Sequence, residues 1–330
     1  MLVRAVRSAV SIPGVEAPYD TAHLTIRYPA LPPQDDVERM SGMLSADPAG
    51  APYPVVILVP GVNVSSETYR WLAVAIVEAG LVCVSYDWVG LLFPGQYGLT
   101  PGVDLDAVTP EGYGSKPTTP AIGAILQALL EDPPSVLDGL LDLDKVALVG
   151  HSAGGTVALQ SASPEWFPTV RAVAAYGAHT MASQQLGHPA GTLLASPAQA
   201  PVLLVGGTAD GVVAASAIRY GGQPGDPEHD PIERTWREAL APTTEAWLVR
   251  LQDAGHMLPC FPEDPTSARG FLEEATDPVD TPKDDRLRAV LAEVFTTFLT
   301  AHLRATPDAK AALDRLQDDP PTELADLRRR

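Results

Sequence analysis

Apolar residues in this chain fall into short continuous runs. Pro54-Val55-Val56-Ile57-Leu58-Val59, Val146-Ala147-Leu148-Val149, Ala172-Val173-Ala174-Ala175-Tyr176, Pro201-Val202-Leu203-Leu204-Val205 and Ala246 to Leu251 are the clearest. Runs of this length, bounded by Gly, Pro or Asp, read as strands buried on both faces of a parallel sheet. Helical spacing fills the intervals, from about Glu67 to Ala79, from Pro120 to Glu131 and from Arg286 to Leu303. Strands alternating with helices predict a parallel sheet with right-handed crossovers. Residues 15–50 predict one or two antiparallel edge strands, His23 to Tyr28 being the clearest. Ala305 to Arg330 is charged and reads as a surface helix or a frayed tail. The expectation is a single α/β domain: edge strands and a loop over 1–53, a core over 54–304 and a charged tail over 305–330. Its sheet is mostly parallel and twisted, of about eight strands, with helices on both faces and loop insertions above one sheet edge.

One run leads directly into chemistry. Val146 to Val149 enters Gly150-His151-Ser152-Ala153-Gly154, and Thr156-Val157-Ala158-Leu159 then reads as helix. Strand, sharp turn and helix around G-x-S-x-G form a nucleophile elbow, which holds Ser152 exposed at the carboxyl edge of the sheet. Gly150 and Gly154 let strand and helix approach closely. The N–H of Ala153, at the start of the helix, is free to bind an anion. His151 is the variable residue of the elbow and packs beside the serine.

An acid and a base are sought downstream in the order Ser, Asp or Glu, His. Pro201 to Val205 ends in Gly206-Gly207-Thr208-Ala209-Asp210-Gly211, so Asp210 lies at the carboxyl end of a strand. Glu228 and Asp230 are weaker rivals, because no strand fixes them. The strand Ala246 to Leu251 is followed by Gln252-Asp253-Ala254-Gly255-His256-Met257, which places His256 one strand after Asp210. Acyl transfer also needs two donors aimed at the developing oxyanion. The second comes from the loop Pro60-Gly61-Val62-Asn63, by position the N–H of Val62, with Asn63 as the alternative. Candidate substrate contacts are Asn63, Trp88, His151, His179 and Met257. The segment from Asp87 to Pro117 has two readings: it drapes over the site and shapes the acyl pocket, or it fills core. Residues 219–244 and 257–284 are candidate lid or rim segments.

These blocks resemble a known family. Pro60-Gly61, Tyr69-Arg70-Trp71-Leu72-Ala73 and Glu78-Ala79-Gly80-Leu81-Val82-Cys83-Val84 resemble the segment after the oxyanion strand in bacterial cutinase-like polyester hydrolases. They are similar also to dienelactone-hydrolase-like and platelet-activating-factor-acetylhydrolase-like esterases, all within the α/β-hydrolase superfamily. The resemblance covers roughly residues 50 to 300. It implies the α/β-hydrolase fold, a backbone oxyanion donor at Val62, and a triad of Ser152, Asp210 and His256. Polyester hydrolases carry an aromatic residue where this chain has Val62.

Composition narrows the partners. The chain has 330 residues, 45% hydrophobic, with a net charge of −19, which argues against nucleic acid and against anionic membrane surfaces. Neither a signal peptide nor a membrane span is legible, and Cys83 and Cys260 read as free thiols in a cytoplasmic protein. No metal-ligand cluster and no cofactor motif stands out. The expected activity is hydrolysis of a small-molecule ester of short to medium chain length, by a monomer or a dimer. Thioesterase, lactonase, amidase, acyltransferase or cutinase-type chemistry uses the same triad. A non-catalytic binding protein is the reading from another class. A haloalkane dehalogenase would need Asp where Ser152 stands.

Overall fold

The computed structural model describes residues 1–93, 95–222, 229–264, 266–267 and 282–330. Ten strands form one mixed sheet: β1 (Leu2–Ser11), β2 (Thr21–Ala30), β3 (Tyr53–Val59), β4 (Val82–Phe93), β5 (Gln96–Leu99), β6 (Leu141–His151), β7 (Val170–Tyr176), β8 (Val202–Gly207), β9 (Ala246–Leu251) and β10 (Leu324–Arg329). The order across the sheet is β1-β2-β4-β3-β6-β7-β8-β9-β10, with β5 paired to β4. Neighbours from β4 to β9 run parallel. The antiparallel pairs lie outside that block.

Eight α-helices accompany the described strands: α1 (Asp36–Ser41), α2 (Arg70–Glu78), α3 (Ala121–Glu131), α4 (Ala153–Ser161), α5 (Gly211–Ser216), α6 (Pro231–Arg234), α7 (Pro282–Leu303) and α8 (Pro307–Asp318). The continuous apolar runs have a simple cause. Successive strand side chains point to opposite faces, and both faces are covered. On β3, Val55, Ile57 and Val59 join a core shared with α3 and α4. Val56 and Leu58 join a second core shared with α2, α7 and α8.

Three features differ from the sequence expectation. The sheet has ten strands instead of about eight, because β1 and the short β5 hairpin strand add to it. The charged tail is not frayed. Residues 307–318 form α8, and β10 closes the sheet against β9. Its alternation is weak in composition, and cation–aromatic contacts supply the packing. The Arg328 and Arg330 guanidinium groups lie over Trp236, and Arg329 lies over Trp247. The segment from Asp87 divides its labour: β4 and β5 make a hairpin, and only the turn after it reaches the site. Both cysteines are buried free thiols, and burial pushes the Cys83 thiol up to about 12. No helix among the described residues is long and apolar enough to cross a membrane.

Candidate active site

Ser152 sits between β6 and α4 with φ 55° and ψ −128°, as the N-cap of α4. This left-handed backbone costs a non-glycine residue about 1–3 kcal/mol, and the packing around it holds it there. The Ser152 N–H donates to the Tyr176 carbonyl at 2.9 Å, and its carbonyl accepts from the Thr156 N–H at 3.0 Å. Gly154 is required next to it. A Cβ there would stand 2.3 Å from the carbonyl oxygens of both Val59 and Pro60. The elbow and the loop after β3 are therefore packed backbone to backbone.

The loop after β8 places Asp210 and the loop after β9 places His256, which are 7% and 3% exposed. Asp210 Oδ2 lies 2.9 Å from His256 Nδ1, and Asp210 Oδ1 accepts the Val213 N–H at 2.8 Å as the cap of α5. Burial alone would raise the Asp210 carboxyl. The charge and hydrogen bond of His256, with the Val213 N–H, outweigh it and hold the group below its ordinary value. Gly177, at φ 58°, closes the packing. A Cβ there would be 3.0 Å from His256 Nδ1 and 3.1 Å from Asp210 Oδ2.

The loop Pro60 to Val64 lies against the elbow, with an idealised Gly61 Cβ 3.4 Å from Ser152 Cβ. Three of its N–H groups have partners within the protein. Gly61 donates to Tyr69 Oη at 3.0 Å, Asn63 to the Leu99 carbonyl at 2.8 Å and Val64 to the Gly61 carbonyl at 3.4 Å. The Asn63 N–H is thus taken by the β5 carbonyl and does not point to an incoming ligand. The Val62 N–H is left outside these pairings. The Ala153 N–H is the first of α4, where helical geometry provides no partner.

His151 lies beneath this arrangement, buried at 3% exposure. Its Nε2 is 3.0 Å from the His256 carbonyl and its Nδ1 is 2.9 Å from Tyr69 Oη. A carbonyl only accepts, so Nε2 carries the proton and Nδ1 accepts. Burial, with the His256 charge, lowers its pKa to about 3, so the ring is neutral. One imidazole thus joins the oxyanion loop, through Tyr69 and the Gly61 N–H, to the backbone of the histidine loop. The Cys260 Sγ, 3.6 Å from the same Nδ1, completes the cluster.

A cavity of about 220 Å³ opens at Ser152 and His256. Ala153 and His179 also border it. His179 accepts the Met181 N–H at Nδ1 (3.2 Å) and faces Ser216 Oγ through Nε2 (3.4 Å), and burial lowers its pKa to about 4. Val103 and Val108, beyond the β5 hairpin, reach the cavity, whereas Trp88 does not. Trp88 is buried, donates to the Tyr19 carbonyl at 2.7 Å and borders a different cleft. It is corrected from a substrate contact to a structural residue. Asn63 and Met257 border a small depression beside Val62 and not this cavity. Glu228 and much of 257–284 lie outside the described residues, and Asp230 is paired with Arg250.

Apart from His179, sequence reasoning missed the main wall, the segment 177–196 after β7. Met181, Ala182, Leu186 and Leu194 from it line the cavity. It is pinned by Leu194 N–H to the Thr180 carbonyl (2.9 Å) and by His188 Nε2 to the Val108 carbonyl (2.8 Å). Its signal was a long stretch without a strand at the carboxyl end of β7, punctuated by large apolar residues.

The order of strands, the elbow and the loops after β8 and β9 together define a class. The chain belongs to the alpha/beta hydrolase family, whose model matches residues 56–327. No curated protein matches the chain closely enough to place it within that family. The match runs from β3 to β10 and so spans every strand that carries a site residue.

Proposed function

We propose that the chain is a serine hydrolase that cleaves carboxylic esters of short to medium acyl length through Ser152, His256 and Asp210. The observation that carries this reading is one juxtaposition. The His256–Asp210 pair, 2.9 Å apart and buried, borders through His256 the same cavity as Ser152 on its strained elbow. Asp210 at Nδ1 leaves His256 Nε2 to move the proton. Nε2 takes the Ser152 hydroxyl proton as Oγ attacks the ester carbonyl. The N–H groups of Val62 and Ala153 hold the tetrahedral oxyanion. The intermediate collapses, and the C–O bond to the alcohol breaks. His256 returns the proton to the leaving alkoxide. Water, deprotonated by His256, then attacks the acyl-enzyme and releases the acid and free Ser152.

The cavity supports the substrate class. It is bordered mostly by Val, Leu, Met and Ala side chains, and among the described residues no Lys or Arg lines it. An uncharged acyl chain fits such a lining. The test is a series of p-nitrophenyl esters of increasing acyl length, wild type beside Ser152→Ala, with fluorophosphonate labelling of both. Turnover and labelling lost together in the variant are the expected result. Turnover that persists in Ser152→Ala would overturn the assignment.

A further inference from the structure

The face of α4 that borders the cavity carries three polar residues in line. Ser152 caps the helix, and Thr156 and Gln160 follow at successive intervals of four. Thr156 Oγ1 donates to the His179 carbonyl at 2.8 Å. Across the cavity, Ser216 Oγ donates to the Val213 carbonyl at 2.7 Å, and Ser183 Oγ accepts the Gln185 N–H at 3.2 Å. Gln160 is different. It is 3% exposed, yet its carboxamide has no hydrogen-bond partner among the described residues. The amide is not sealed inside packed protein either: it keeps accessible surface, and the space it borders is the cavity. Once a substrate fills the cavity and shuts that surface off, a polar group left without a partner costs about 1–3 kcal/mol. Leu or Met would fill the same place without that cost if the cavity took only plain alkyl chains.

We propose that Gln160 reads a hydrogen-bonding group on the acyl chain, so that the substrates are esters of medium-length acids bearing a hydroxyl group toward the far end. This rests on the esterase reading of Ser152. The group is neutral, because among the described residues no Lys or Arg lines the cavity to pair a carboxylate, and an unpaired buried charge is far costlier than a buried dipole. A hydroxyl suits both halves of the amide, donating to Oε1 and accepting from Nε2. Eight residues of helix separate Gln160 from Ser152, about 12 Å of rise. The Gln160 side chain leans back toward the helix N-terminus, so an acyl chain lying along α4 meets it with a medium chain and not with acetyl.

The experiment compares kcat/KM on p-nitrophenyl hexanoate and on its ω-hydroxy counterpart, in wild type and in Gln160→Leu. The preference for the hydroxylated ester, read as the ratio of the two kcat/KM values, falls about tenfold in the variant, the worth of one hydrogen bond. An unchanged preference, with both esters turned over, overturns the proposal and leaves the esterase reading standing. Should Gln160→Leu fail to fold, the wild type alone decides. It prefers the ω-hydroxy ester over a size-matched ω-chloro ester, and equal rates refute the role of Gln160. Should the wild type cleave no ester, the esterase reading fails, and calorimetry of hexanediol against hexanol on wild type and variant tests Gln160 by binding. Loss of the diol's advantage in Gln160→Leu supports it, and no difference overturns it.

Discussion

Replacing Tyr69 by Phe removes one oxygen from the interior of the site and leaves the volume intact. That oxygen accepts the Gly61 N–H at 3.0 Å and lies 2.9 Å from His151 Nδ1. All three residues are buried. Each buried donor or acceptor left unpaired costs about 1–3 kcal/mol. The Cys260 thiol, 3.6 Å from Nδ1, is placed to take over that nitrogen, but no other group among the described residues is paired with the Gly61 N–H. The net loss is therefore that of one group, about 1–3 kcal/mol, read as a lower urea midpoint at unchanged m. Activity falls as well. Val62, the next residue, loses the anchor that sets the direction of its N–H, and a lost oxyanion donor costs about 10²–10³ in kcat. A misdirected donor is expected to cost about tenfold in kcat with little change in KM. A Tyr69→Phe protein within about 0.5 kcal/mol of wild type, the range of an ordinary surface change, and with unaltered kcat would refute the reasoning.

Two further outcomes follow from the same geometry. Asp210→Asn keeps the cap on α5 but reverses the partner of His256 Nδ1, so kcat on a p-nitrophenyl ester is expected to drop by about 10⁴ with the circular dichroism spectrum unchanged; a drop below tenfold would remove Asp210 from the triad. His151 has a folded pKa of about 3 below its unfolded value, so the unfolded chain binds the extra proton, and stability is complete above about pH 6.5 and lost as pH falls toward the folded value. The slope is up to about 1.4 kcal/mol per pH unit from this group. His151→Gln should flatten the urea midpoint profile between pH 4.5 and 6.5, and an identical profile would contradict the assignment of a neutral ring.

The loops that carry Ser152, Asp210 and His256 were legible because each follows an apolar run long enough to announce a strand, and the family rule fixes their order. The loop after β3 was legible in place but not in detail. The proposal of Val62 over Asn63 rests on which N–H the β5 carbonyl captures, a contact no local pattern encodes. Tyr69, Cys260 and Gln160 were invisible as site residues, since no local motif surrounds them and each gains meaning only from partners distant in the chain, or from having none. The spacing of Ser152, Thr156 and Gln160 was a readable signal that went unused. The edge strands show the same limit: β10 is charged and short, and only its pairing with β9 and the stacking on Trp236 and Trp247 make it a strand.

The two cores that flank the sheet have different obligations. No described residue of α2, α7 or α8 borders the cavity at Ser152, while α4 and α5 help to form it. The α7–α8 helices are thus a foundation whose changes register in folding, while Tyr69 and Cys260 at the rim of the same core are its links to the site. The α4–α5 side is a workshop in which each change is judged twice, once for the fold and once for the substrate. Engineering for robustness and engineering for specificity can therefore proceed on opposite faces of one sheet, and gains on the two faces should add, because residues that share no partner seldom couple.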